Sequence, residues 1–205
     1  FFGENLRLYK HQEEALTIAQ NGDPYIVTTG TGSGKSLTYL VPIYDSIIKS
    51  NPDNHQVRAL IVYPMNALIN SQQQSLDTFL QNLPSSKVRF EQYTGQTKQE
   101  DRERILNDPP HILLTNYVML EYLLMRSNER QLLEQATQYL DFLVMDELHF
   151  YRGRQGADVA MLMRRVAEKS GQDIQYIGTS ATMTTEGNRD DRRQAVARVA
   201  TTQFG

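Results

Sequence analysis

Lys35 and Ser36 close the stretch TTGTGSGKS (Thr28–Ser36), in which Gly30, Gly32 and Gly34 alternate with hydroxyl residues directly after the apolar run YIV. Glycines at this spacing let successive backbone N–H groups curl inward as an anion nest. A helix opening just beyond would add its N-terminal N–H groups and dipole. Lys35 would then reach the outer phosphates as a point charge, and Ser36 would place its hydroxyl on Mg²⁺. Thr29, Gly30, Thr31, Gly32, Ser33, Gly34, Lys35 and Ser36 are the expected nucleotide cradle. The strict pattern has glycine where this chain has Thr29, but Gly34-Lys35-Ser36 carries the chemistry.

A second constellation supplies what the first lacks. DFLVMDELHFY (Asp141–Tyr151) is an apolar run ending in adjacent acids, Asp146 and Glu147. Hydrolysis of a nucleoside triphosphate needs one carboxylate to orient Mg²⁺ and its waters, and another to position the attacking water. Adjacent acids just past a buried strand can serve both ends.

These residues need a scaffold. Short apolar runs predict strands at Tyr25–Thr29, Arg58–Tyr63, Val88–Tyr93, His111–Thr115, Asp141–Met145 and Ile174–Thr179; several are apolar nearly throughout, as when both sheet faces are covered. Helices are predicted between them at Leu37–Ile48, Ala67–Leu80, Lys98–Leu106, Tyr117–Met125, Glu129–Leu140 and Asp158–Glu168, with a possible closing helix at 192–205. Pro42 should kink the first of these or deny it one hydrogen bond. Thr184–Arg193 is polar and expected to be exposed. The alternation predicts an α/β domain, a mostly parallel β-sheet sandwiched between helices, with its chemistry beyond the carboxyl ends of the strands.

The 205 residues are 40% apolar and 22% charged, a globular balance, with a net charge of −3. An acidic chain cannot hold nucleic acid by bulk charge, so any such partner must be gripped locally. With no cysteine there is no disulfide framework and no thiolate metal site. No stretch is long and apolar enough for a membrane span, and no signal peptide is evident, so the expected setting is a cytoplasm, most simply a bacterial one. The chain opens on Phe1 rather than Met and reads as a piece of a longer protein.

GTGSGKS (Gly30–Ser36), DELH (Asp146–His149) and TSAT (Thr179–Thr182), in that order, resemble motifs I, II and III of superfamily 2 helicases of the DEAD/DEAH-box type, here with a DExH pattern. LYKHQEEAL (Leu8–Leu16) resembles the adenine-reading segment, YPMNALINSQ (Tyr63–Gln72) resembles motif Ia, and YTG and LLTNYVMLEYLL resemble later strand-contacting motifs. DELHFYRGRQGADVAMLMRRV is most similar to the YprA/Hrq-like branch of large DNA helicases and to relatives in phage-defence systems.

The resemblance implies a RecA-like P-loop NTPase fold, with 1–205 as the first RecA-like domain and ATP with Mg²⁺ as cofactors. Gln12 would read adenine. Lys35, Asp146 and Glu147 would be catalytic, with Ser36 and Asp146 on the metal directly or through water. His149, Ser180 and Thr182 would couple hydrolysis to movement. Nucleic acid, DNA in preference to RNA, would meet Pro64, Met65, Asn66, Thr94, Gly95, Thr115 and Asn116. Arg152 and Arg154 would join them from a loop that faces either the strand or a neighbouring domain. A second RecA-like domain, absent here, would supply an arginine finger, and repair or defence subunits are conceivable partners. The function expected is the ATP-binding half of a helicase or translocase. Two alternatives are a duplex-DNA translocase subunit of a restriction or defence complex, and a nucleotide-gated binding module without turnover.

Overall fold

The computed structural model describes residues 7–30, 32–81, 87–125, 130–151, 153–170 and 173–181. Thr31, Arg152 and Thr182 lie outside the described residues, as do the polar stretch 184–193 and the expected closing helix at 192–205.

Among the described residues, six strands fall on the six apolar runs: β1 (Tyr25–Thr28), β2 (Ala59–Tyr63), β3 (Phe90–Gln92), β4 (Ile112–Asn116), β5 (Phe142–Met145) and β6 (Gln175–Ser180). They form one sheet, in the order β1-β6-β5-β2-β4-β3, and every pair is parallel. The helices are α1 (Lys10–Gln20), α2 (Leu37–Ser50), α3 (Asn66–Gln81), α4 (Gln99–Asn107), α5 (Tyr117–Met125), α6 (Arg130–Gln138) and α7 (Gly153–Ser170). Strands β2, β4 and β5 are buried at every position because helices cover both faces. On β2, Leu60 and Val62 join a core with Leu120, Leu133 and Met163 of α5, α6 and α7. Ala59, Ile61 and Tyr63 face the other way, onto Ala15, Ile43 and Ile69 of α1, α2 and α3.

Two helices depart from the expected pattern. Apolar periodicity does not mark α1, because its buried positions are Gln12, Ala15 and Ala19, one polar residue and two small ones. Helix α7 starts at Gly153 rather than Asp158, so Arg154 belongs to its first turn and not to a loop.

Helix α2 runs through Pro42. Proline has no N–H to give the Thr38 carbonyl one turn back. The Tyr25 hydroxyl of β1 donates to that carbonyl at 2.6 Å instead. The helix loses one internal bond, but the buried acceptor keeps a partner, and strand and helix are pinned beside the phosphate loop. Tyr25→Phe is therefore expected to destabilise the domain by about 1–2 kcal/mol. Urea unfolding reads this directly, and an unchanged midpoint would remove the role.

The strand order decides where chemistry collects. β1, β6 and β5 are neighbours, so the glycine loop, the TSAT segment and the acid pair emerge side by side. β2 and β4 emerge next along the same edge. Among the described residues, no helix is long and apolar enough to cross a membrane.

Candidate nucleotide-binding site and an adjoining groove

The loop after β1 takes the shape its glycines allow. Gly32 and Gly34 have φ of 74° and 73°, the left-handed region that aims N–H groups inward. A Cβ at Gly34 would lie 2.7 Å from Gln12 Nε2. Gln12 is only 3% exposed. Its Nε2 donates to the Gly34 carbonyl at 3.0 Å, and its Oε1 accepts the Tyr9 N–H at 2.9 Å. Gln12 thus clamps α1 to the loop, leaving one N–H and one lone pair for a base edge. Thr29 and Ser33 close the loop with a 2.6 Å hydroxyl contact.

Lys35 is buried, and its Nζ donates to the Thr29 and Gly30 carbonyls, both at 3.0 Å. One N–H of the ammonium remains to be used. Ser36 Oγ donates to Gln72 Oε1 of α3 at 3.2 Å. Gln72 is a residue that motif reading did not single out, and it ties the phosphate loop to the helix after β2.

Register explains the second half of the site. Met145 is opposite Gly178, so Asp146, one residue on, falls beside Thr179. Thr179 Oγ1 donates to Asp146 Oδ1 and accepts the Glu147 N–H, the latter at 3.2 Å. A Cβ at Gly178 would lie 2.5 Å from Leu148 Cδ1, so glycine there lets the turn after the acids press onto β6. Burial pushes the Asp146 carboxyl up to about 6, with the Glu147 charge adding to the rise; the Thr179 bond and the Lys35 charge oppose it. Lys35 and Asp146 are therefore electrostatic neighbours. Beneath them, the fully buried Tyr39 hydroxyl lies 3.5 Å from the Tyr63 hydroxyl, and burial together with the charges of Asp146 and Glu147 holds it well above the usual phenol range. Lysine, serine and acid pair share one neighbourhood.

Glu147 has φ 54° and ψ 51°, the one non-glycine residue in the left-handed region among the described residues. This backbone costs about 1–2 kcal/mol and swings the carboxylate back toward β6. Glu147 Oε2 accepts the Ala181 N–H at 3.2 Å and sits 3.1 Å from His149 Nδ1. His149 Nδ1 is in turn 3.5 Å from Ser180 Oγ. The acid turn thus touches the end of β6 through Thr179, Ser180 and Ala181. Thr179, which motif reading did not single out, holds both the Asp146 side chain and the Glu147 backbone.

The group implied by this loop is a magnesium nucleotide, and the residues fit it. The donors on hand are all oxygen, the Ser36 hydroxyl and the Asp146 carboxylate, as a hard cation prefers. A carboxyl raised to about 6 by burial is one whose charge a cation would relieve.

Farther along the edge, Pro64, Met65, Asn66, Gly95 and Asn116 come together in a groove of about 340 Å³, with Tyr117, Val118, Met119 and Tyr122. Asn116 Nδ2 donates to Asn66 Oδ1 at 2.5 Å, while Asn116 Oδ1 caps α5 by accepting the Met119 N–H at 2.8 Å. Two of the expected contact residues have hydroxyls already engaged within the protein. Thr115 is fully buried and donates to the Tyr93 carbonyl at 2.7 Å. Thr94 is 2% exposed, and its Oγ1 accepts the Gln96 N–H at 3.1 Å. Both hydroxyls hold the local backbone. Arg154 is exposed in α7 and lines a separate depression with Glu121, Asp158 and Arg165; Tyr117 borders both.

A family model for the DEAD/DEAH box helicase matches residues 9–190. The chain belongs to the DEAD/DEAH box helicase family. It is 34% identical over 183 residues to an ATP-dependent helicase of Methanocaldococcus jannaschii, covering 86% of this chain and 26% of the relative. It is 35% identical over 182 residues to the ATP-dependent helicase hrq1 of Schizosaccharomyces pombe, covering 86% and 16%. A crystal structure of the DUF1998 helicase MrfA bound to DNA and AMPPNP superposes with a TM-score of 0.75 at 29% identity, covering 93% of this chain and 26% of that one. The fold is thus the RecA-like domain of this family, and the chain spans about a quarter or less of these relatives' length. A roomier depression of about 850 Å³ lies at the amino ends of the strands, lined by Pro42, Asp45, Asp141 and Gln175. It is at the opposite end of the sheet from the phosphate loop and the acid pair.

Proposed function

We propose that this chain is the ATP-binding half of an ATP-dependent helicase or translocase that acts on DNA. The observation that carries the reading is the pairing of β5 with β6, which sets Asp146 and Glu147 against Thr179 and within electrostatic reach of the Lys35 loop. The same sheet edge carries the groove with Asn66 and Asn116. DNA is favoured because the MrfA structure has DNA bound.

Bound Mg²⁺ would screen the phosphate charge. Gly30 to Gly34 would cradle the phosphates through backbone N–H groups, and Lys35 would stabilise charge on the transferring phosphoryl group. Ser36 and Asp146 would hold the cation. Glu147, aimed by its left-handed backbone, would orient the attacking water and take its proton. Because Glu147 and His149 contact Ala181 and Ser180, a change at the phosphate end would be felt at the end of β6. Thr182 would extend that coupling toward a second RecA-like domain of a longer protein.

Asn66, Asn116, Pro64, Met65 and Gly95 would meet the nucleic-acid strand, and Arg152 and Arg154 would join them in contacting it. Amides and helix N-termini can hold backbone phosphates without a basic surface.

Glu147→Gln tests the reading. In the full-length protein it is expected to keep nucleotide binding and to lower DNA-stimulated turnover at least about a hundredfold. Retained turnover would remove Glu147 from its role. Absence of ATPase activity in the wild-type protein, with and without single-stranded DNA, would favour a nucleotide-gated binding module.

A further inference from the structure

Met65, Val118 and Tyr122 leave 42%, 41% and 41% of their surface exposed, and all three line the groove that holds Asn66 and Asn116. Val118 and Tyr122 are four residues apart on α5 and so share a helix face. Met65 approaches from the turn before α3. Among the described residues, none that lines this groove is charged. A surface that gripped only phosphates would present cations or N–H groups. This one presents a thioether, a branched aliphatic carbon and an aromatic ring beside a pair of amides.

That mixture matches one side of a nucleotide strand. Phosphates ask for donors, whereas sugars and base faces ask for apolar and aromatic contact. In a duplex the base faces are stacked on one another and hidden; in a single strand they are free to lie on a side chain. Resting on the nucleic-acid reading above, we propose that the groove takes unstacked base and sugar faces of a single strand against Tyr122, Met65 and Val118. Tyr122 is the specificity-determining residue. It makes a base-bearing single strand a better ligand than either a duplex or a bare sugar–phosphate chain.

The test uses the full-length protein with a non-hydrolysable ATP analogue, at one fixed salt concentration. Fluorescence anisotropy follows three probes: a base-bearing oligodeoxynucleotide, an abasic strand of equal length, and a duplex. The wild type is expected to bind the base-bearing strand roughly tenfold tighter than the abasic strand or the duplex. Tyr122→Ala is expected to bring the two single strands within about twofold by weakening only the base-bearing one. Tyr122→Phe keeps the ring and is expected to keep the preference.

Equal binding of both single strands by the wild type overturns this inference and leaves the nucleic-acid reading standing. So does an equal loss on both strands in Tyr122→Ala. If Tyr122→Ala lowers the melting temperature and leaves base preference intact, the ring serves the fold and not the strand, which overturns the inference as well. Failure of every probe to bind would overturn the nucleic-acid reading itself and this inference with it.

Discussion

Lys35→Ala is expected to lower ATP turnover by the full-length protein on the order of a thousandfold. The side chain is 8% exposed, and its ammonium is held 3.0 Å from the carbonyls of Thr29 and Gly30, at the mouth of the loop. A positive charge there, in a site shielded from water, acts where negative charge grows on the transferring phosphoryl group. Lys35→Arg is expected not to rescue, because a planar guanidinium fork does not reproduce a compact ammonium across two carbonyls. Single-turnover phosphate release with saturating nucleotide gives the chemical step free of binding. A loss smaller than about tenfold would make Lys35 a loop-closing residue and nothing more.

Asp146→Asn is expected to do two opposite things: stabilise the nucleotide-free domain and abolish magnesium-dependent nucleotide binding. Burial raises the folded-state carboxyl from 3.8 to about 6, so the fold binds that proton more tightly than the unfolded chain does. Between those values stability falls as pH rises, and above about 6 the full cost of a buried charge is present. Asparagine removes that cost and can still accept the Thr179 hydroxyl, so at neutral pH the gain is about 1–3 kcal/mol. The gain should shrink as pH drops from about 6 toward 3.8, where the wild-type carboxyl is already neutral. Thermal unfolding of both proteins across that range measures the difference. A variant less stable than the wild type at neutral pH would show that Lys35 and Thr179 already compensate the charge.

β2, β4 and β5 were legible because each is a short run buried at every position, a signal that needs no partner to be read, while β1, β3 and β6 were read from mixed runs with fewer apolar residues. The phosphate loop was legible because its glycines and lysine are consecutive. What escaped reading depends on contacts between segments far apart in the chain. Thr179 matters because Met145 pairs with Gly178, and a register of that kind is invisible along one segment. Gln72 matters because α3 brings it to Ser36. Thr94 and Thr115 have the right side chains for a phosphate contact, but the β3–β4 ends turn them inward. Arg154 sits in a glycine-flanked stretch that reads as a loop, yet α7 begins at Gly153. Helix α1 escaped because two alanines and a buried glutamine leave no apolar stripe.

The central claim is that Lys35, Ser36, Asp146 and Glu147 serve one magnesium-bound triphosphate. A crystal structure of these 205 residues soaked with Mg²⁺ and a non-hydrolysable ATP analogue tests it most directly. The expected result has Lys35 Nζ drawn off the Thr29 and Gly30 carbonyls onto a phosphate, with Ser36 Oγ and Asp146 around a single cation. Nucleotide seated instead in the depression beside Pro42 and Gln175, with Lys35 still on those two carbonyls, would contradict it.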